Sequence, residues 1–422
     1  MLTEVRGFQV MGDYLYAVSG DLLIRIDSSY SVTTLNNSDR MATKTGPVTM
    51  ADNGIQLMIA DGSCSAYLYD SQTDVFTKLT EETYGFMGGG CVTFQDGFFI
   101  SHQPDSDTFY HCALNDGLSW DVLDNNQALV KPGNIVRQLS NHRELWTFKK
   151  KSTEIFYNSG DNEIVFQRMP GGNLEIGLGA IHSVALLDNT LFWLANDKTV
   201  RMAAGYVPAI VSTPQLSYRI EKFSVVSDAI GFGFVFEGHS FYQLTFPSEG
   251  VTFVYDAATK MWHEKTSYRV GTEDDSRHRA NCYAKFNDEH IVGDYSNGKI
   301  YKFDSDAFTD AGNRIQRTRV IRLLDAEEKP IFLHNFQIDF EAGVGITTGQ
   351  GSDPKAMLQI SKDGGHSYGN ELWADIGPKG KFNQRAIWWR LGRSRDPVAK
   401  LVMTDPIKVV IVGAYLDANP GV

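Results

Sequence analysis

The stretch Tyr255–Trp262 reads YDAATKMW, and Tyr69–Phe76 reads YDSQTDVF. Both obey the pattern Tyr-Asp-x-x-Thr-x-x-aromatic, and they start 186 residues apart, close to four times 46. The pattern describes a turn between two strands. The Tyr closes one strand, the Asp carboxylate accepts backbone amides of the turn, the Thr caps it, and the aromatic opens the returning strand and packs on the first. A chain assembled from units of about 46 residues accounts for the distance between the two copies.

A polar turn followed by a short apolar–aromatic strand recurs as GDYLYAV from Gly12, NGIQLMI from Asn53, DGFFIS from Asp96 and HRELWTF from His142. It returns as DNTLFWL from Asp188, EGHSFYQL from Glu237 and NDEHIVGD from Asn287, at intervals of 41, 43, 46, 46, 49 and 50 residues. Inside most units an alternating strand ends in an Asp turn: LLIRID to Asp27, AYLYD to Asp70, TEIFYNSGD to Asp161, TFVYD to Asp256 and KIYKFD to Asp304. This period suits a four-stranded propeller blade, not a helical solenoid. The fold class expected is mainly β: a β-propeller of six to seven blade-like units over residues 1–325. The Tyr-Asp-Thr-aromatic turns are similar to kelch-type hairpins, where such residues serve turn and packing, and that is the role expected of them here.

Helical signal is sparse. STPQLSYRIEKF predicts one helix, with Thr213 as N-cap, Pro214 in the first turn and Leu216, Ile220 and Phe223 on one face. Beyond Asp325 the pattern changes. NFQIDFE alternates, with Phe336, Ile338 and Phe340 on one side and Gln337, Asp339 and Glu341 on the other; AIWWRLG and IKVVIVGAYLDA add strands. Residues 326–422 are expected to form a C-terminal antiparallel, sandwich-like β-domain, with an elaborated final blade as the open alternative.

The chain of 422 residues is long for one ordinary core. With 42% hydrophobic, 21% charged and 12% aromatic residues and 39 glycines, it has the composition of a globular protein rich in strands and tight turns. A formal charge of −12 argues against a general nucleic-acid binder. Cys64, Cys91, Cys112 and Cys282 are scattered without a CxxC pair and read as free buried thiols of a reducing compartment. The start, MLTEVRGFQV, has no basic-then-apolar leader, and no run approaches eighteen apolar residues, so synthesis in a cytoplasm without a membrane segment is expected.

Several stretches offer chemistry. SKDGGHSY, Ser361–Tyr368, resembles the Asp-box of sialidases with Tyr368 in place of Trp. In that family the box is a hairpin turn remote from the pocket, and the arginine cluster and Tyr–Glu pair of the reaction are not assignable here. GFMGGGC, Gly85–Cys91, lacks the Lys-Ser/Thr of a phosphate loop and precedes a strand, so a flexible loop at a blade edge is expected. His102, His111, His278 and His290 form neither HExxH nor a zinc spacing and are expected on strands or the surface, and no Cys–His pairing stands out. The basic runs Lys149–Lys151, Arg317–Arg322 and Trp388–Arg395 are expected to pair with acidic residues before they meet phosphates. No catalytic, cofactor-binding or metal-ligating residue is assigned, and the chain is expected not to be an enzyme.

The run NHRELWTFKKKSTEIFYNSG (Asn141–Gly160), continuing through FQRMPGG (Phe166–Gly172), resembles the packaged-DNA stabilisation proteins of short-tailed phages, the tail nozzle or tail hub proteins. EGHSFYQLTFP from Glu237, TFVYDAATKMWHE from Thr252 and HIVGDYSNGKIY from His290 carry the likeness onward. SKDGGHSYGNELW from Ser361 and WWRLGRSRDPV from Trp388 extend it almost to the end. The resemblance implies a virion tail component that forms a homo-hexameric ring on the portal–adaptor complex. Such a ring adjoins tailspikes and tail needle, helps retain packaged DNA and conducts it at ejection without sequence-specific contact. About six residues precede GFQVMGDYLYAVSG, where members of the family carry a further segment, which leaves open whether the first blade is complete. A glycan-binding or sialidase-like glycan-cleaving propeller is the alternative function, and a kelch-like cellular scaffold a third.

Overall fold

The structure is a computed structural model that describes residues 3–36, 39–63, 65–161, 163–269, 274–324 and 329–421. Cys64 and the expected junction at 325/326 lie outside the described residues. The chain divides into two compact units, one of residues 1–267 and 275–303, the other of 268–274 and 304–422.

The first unit is a succession of antiparallel sheets, each with its strands in chain order: six of four strands and a seventh of three among the described residues. The seven recurring turn–strand elements are the first hairpins of these seven sheets. Several are two-residue turns with both residues at positive φ: Asp96 (51°) and Gly97 (93°), Asp188 (48°) and Asn189 (58°), Glu237 (50°) and Gly238 (80°), Asn287 (51°) and Asp288 (58°). Such turns match the right-handed twist of the strands they join, and Asp, Asn and Gly reach positive φ at least cost. The two copies of Tyr-Asp-x-x-Thr-x-x-aromatic join the third and fourth strands of the second sheet (Ala66–Asp70, Val75–Leu79) and of the sixth (Val251–Asp256, Met261–Glu264). They are therefore four blades apart.

The turn chemistry follows the sequence. Asp256 accepts from the amides of Ala258 (2.9 Å) and Thr259 (3.4 Å) and from the Thr259 hydroxyl (2.8 Å). The Trp262 indole donates to the Val211 carbonyl at 2.8 Å while its ring lies 5.1 Å from that of Tyr255. Asp70 likewise accepts from Gln72 N and Thr73 N.

The propeller has no single core. Apolar layers lie between neighbouring blades, with Tyr16, Leu57 and Tyr69 between the first and second, Phe99, Tyr110 and Met58 between second and third, and Phe192, Tyr242 and Phe253 between fifth and sixth. Each layer is domain-core chemistry on a small scale, which lets the unit exceed the size one core sustains. The first strands (Val5–Met11, Thr49–Asp52, Val92–Gln95, Ile135–Asn141, Ala185–Leu187, Ile230–Phe236, Ala280–Phe286) are innermost and crowd together. A Cβ on Gly231 would stand 2.4 Å from the Ser183 carbonyl oxygen, and one on Gly233 2.4 Å from that of Leu186. The ring closes between the seventh and first blades: Asn281 Nδ2 donates to the Val5 carbonyl at 3.0 Å, Tyr30 donates to Glu289, and Ile291 and Phe286 pack with Leu15 and Ile26. The first blade has its four strands, and the seventh is the one with three.

The predicted helix is Pro214–Glu221, between the fifth and sixth blades, with Thr213 accepting from Leu216 N and with Leu216 and Ile220 buried. A further single turn, Glu81–Tyr84, was not foreseen.

In the second unit a sheet of Arg317–Arg322, Val398–Met403, Lys355–Ser361 and Leu372–Asp375 packs on one of Ala386–Ser394, Ile331–Phe340 and Ile411–Pro420. Phe336, Ile338 and Phe340 face the shared core with Leu358, Trp388 and Leu401, as the alternation of NFQIDFE requires. This is a sandwich, not a final blade. The second unit takes in Arg317–Arg322, which pairs with Val398–Met403.

Candidate functional site

The seven innermost strands enclose a cavity of about 380 Å³ lined by residues of every blade. Three polar side chains give it its character. Arg6 is the extra residue of a bulge in the first strand, where the register shifts between Val5 and Gly7; such bulges re-aim a side chain. Its guanidinium is 1% exposed and fully engaged: Nε donates to Gly46 O (2.6 Å), Nη1 to Gly20 O (2.8 Å) and Thr43 O (2.9 Å), Nη2 to the Thr43 hydroxyl (2.7 Å) and Thr45 O (3.1 Å). Asp61 stands behind Thr43, accepting its amide at 2.9 Å and its hydroxyl at 2.8 Å. Burial would push the Asp61 carboxyl up, but hydrogen bonds from Ser63 and Thr43 outweigh it and hold it below the usual range.

Arg137, on the first strand of the fourth blade, makes one hydrogen bond among the described residues, Nη1 to Ile181 O at 2.7 Å; its Nε is buried without a partner. His182 precedes the fifth blade's first strand. Burial, reinforced by the positive charges of Arg137 and Arg6, pulls its imidazole down to about 3, so the ring is neutral at physiological pH. Sequence reading missed all three. The available signal was an Arg in the strand ahead of the first hairpin, in VRGFQVMGD and again in IVRQLSNHR, since that strand is the innermost.

A Cys–His pair that sequence spacing did not suggest lies between the third and fourth blades. Cys91 Sγ is 3.4 Å from His102 Nδ1 and accepts from Gln138 N at 3.4 Å. Burial pushes the thiol up, yet the imidazole's charge and hydrogen bond bring it below its usual value and raise His102 in turn. The thiol is 0% exposed and the imidazole 4%, so no substrate reaches the pair as it stands. Cys91, Cys112 and Cys282 are free, and the first two are buried.

The other stretches resolve into structure. Ser361 donates to Asp363 (2.6 Å) and accepts from Gly365 N (2.8 Å), while Asp363 accepts from Ser367 N (2.9 Å) and the Ser367 hydroxyl. Those bonds hold the Asp363 carboxyl far below its usual range, so the Asp-box resemblance is a self-contained turn after the strand Lys355–Ser361. Gly85–Cys91 is a close-packed crossover into the third blade, not an edge loop: a Cβ on Gly89 would lie 2.0 Å from Ser101 Oγ, and Tyr110 donates to Gly88 O. His102, His111 and His278 are buried. Of the first basic run, Lys149 is buried; its Nζ donates to Ala128 O and to Lys131 O (2.6 Å) and lies 3.4 Å from Glu154 Oε1. Arg317–Arg322 is an edge strand, with Arg322 paired to Asp396 at 2.9 Å.

No curated protein matches the chain. Among solved structures, PorZ of Porphyromonas gingivalis, a surface component of the type-IX secretion system, is similar over 72% of this chain and 37% of its own, at 10% identity and a TM-score of 0.44. A chain of the mitotic checkpoint complex is similar over 71% of this chain and 89% of its own, at 13% identity and a TM-score of 0.46. The chain thus spans 37% of the PorZ chain, and likenesses this distant carry no functional argument. Two family models match in succession, described as bacteriophage P22 Gp10 β-propeller over residues 4–308 and bacteriophage P22 Gp10 β-sandwich over 316–419. With seven blade-like sheets followed by a sandwich and nearly every residue covered, the chain belongs to the bacteriophage P22 Gp10 family, the packaged-DNA stabilisation proteins of short-tailed phages, as a structural protein of the phage tail.

Proposed function

We propose that this chain is a nozzle or hub component of a short tail that prolongs the portal–adaptor channel, helps retain packaged DNA and conducts it at ejection. The ordered pair of family matches, propeller then sandwich, carries the reading. In it six copies form a ring on the portal–adaptor complex, adjoin tailspikes and tail needle, and assemble in the host cytoplasm. The role is mechanical, without catalysis.

The charge distribution supports a conduit. Of the 39 basic and 51 acidic residues, 24 and 36 lie in residues 1–303 and 15 and 15 in 304–422, so the formal −12 belongs to the first stretch. An acidic wall forms few phosphate contacts, and DNA slides past it without displacing counterions. Native mass spectrometry of purified portal–adaptor complex, before and after addition of the chain, tests the reading. A gain of six copies is the expected result; a folded chain that leaves the complex mass unchanged overturns it.

A further inference from the structure

We propose that the axial cavity of the propeller holds a free inorganic oxyanion, phosphate or sulfate, against the guanidinium of Arg137. A guanidinium keeps its charge at any physiological pH and carries five N–H donors. Removing such a charge from water is costly unless it is paired and its donors are satisfied. Arg6 has its donors satisfied by five acceptors, and the Asp61 carboxylate, hydrogen-bonded to Thr43, lends it counter-charge from behind. Arg137 has neither support: among the described residues Ile181 O is its one acceptor, no carboxylate stands within ion-pair distance, and its Nε is buried and unpartnered.

The surroundings favour an anion over water alone. Among the described residues that line the cavity, none is Asp or Glu. Thr49 and Thr93, which line it, use their oxygens to accept from Val92 N (3.0 Å) and Ser140 N (3.1 Å), so their hydroxyl protons are left to donate. His182 adds a neutral ring with an N–H. The volume of about 380 Å³ takes a tetrahedral oxyanion with several waters, at roughly 30 Å³ for each water. The Cys91 thiol, the competing partner for Arg137, is already engaged by His102 at 3.4 Å.

Equilibrium dialysis of the full chain against radiolabelled phosphate, with sulfate as competitor, tests the assignment. One phosphate per chain is expected, displaced by sulfate, with at least a tenfold weaker affinity in Arg137→Gln and an unchanged one in Cys91→Ala and in the surface variant Arg143→Gln. Absence of saturable binding in the wild type, or equal affinity in a folded Arg137→Gln, overturns it. Should Arg137→Gln not fold, hydrogen exchange of the wild type decides. Slower exchange on adding phosphate in the strands Val5–Met11 and Ile135–Asn141 supports the site, and protection elsewhere or nowhere overturns it.

Discussion

Lys149 and Glu154 show what one buried pair does in this fold. Both side chains are almost wholly out of water, at 1% and 0% exposure, and through the carbonyls of Ala128 and Lys131 and the amide of Val130 they pin the segment that crosses from the third to the fourth blade. Removing one partner of a buried pair leaves a charge without compensation, at about 3–5 kcal/mol. Lys149→Met is expected to lower unfolding stability in urea by about 3 kcal/mol, and a loss below about 1 kcal/mol would mean that Arg168, 3.4 Å from Glu154, takes over the pairing. His182 makes a second prediction. Its folded-state value of about 3 lies below the 6.5 of the unfolded chain, so between those values the unfolded chain binds the extra proton. Stability contributed by the neutral ring is present above pH 6.5 and is lost as pH falls toward 3. In phosphate-free buffer, melting temperature is expected to fall more steeply over this range in the wild type than in His182→Gln; parallel curves would remove His182 as the cause.

At the scale of the element, the innermost strands depend on absent side chains. IGFGFVF in the sixth blade places Gly231 and Gly233 against carbonyl oxygens of the segment Ser183–Leu186, and backbone atoms there cannot yield as a side-chain tip can. Gly231→Ala is expected to cost about 1–3 kcal/mol by overpacking, read as a lower denaturation midpoint, with faster amide exchange in Ile230–Phe236. An unchanged midpoint would mean that the two strands separate freely. The edge strand Arg317–Arg322 supplies a matching test in the sandwich. It pairs residue by residue with Val398–Met403, from Arg317 opposite Met403 to Arg322 opposite Val398. A fragment of residues 304–422 retains this strand and one of 326–422 does not. At about 1 kcal/mol for each net hydrogen bond, the shorter fragment is expected to be less stable by on the order of 3 kcal/mol in urea. Equal stability would place the start of the sandwich at 326.

For the whole molecule, a ring of thin inter-blade layers gives stability that is close to a sum of neighbour terms, so the seventh–first junction matters as much as any other. That junction is non-covalent in chain terms: Val5 is held by Asn281, and Tyr30 by Glu289, across more than 250 residues of sequence. The acidic propeller is expected to bind duplex DNA too weakly to detect at physiological salt by fluorescence anisotropy. Tight binding would contradict a wall past which DNA slides.

Much of this architecture was legible before the fold was known, because it is local. A turn that needs positive φ selects Asp, Asn or Gly, and an alternating strand advertises its buried face; these signals repeated often enough to count blades and to foresee the helix at Pro214–Glu221. What the tertiary structure alone decided is non-local. Arg6, Arg137 and His182 share a cavity because seven strands converge on one axis, and Cys91 meets His102 because neighbouring strands of one blade pair. The place of Arg317–Arg322 in a sheet was hidden for the same reason: its partner lies some eighty residues further along, and no pattern within a strand records where its hydrogen bonds go.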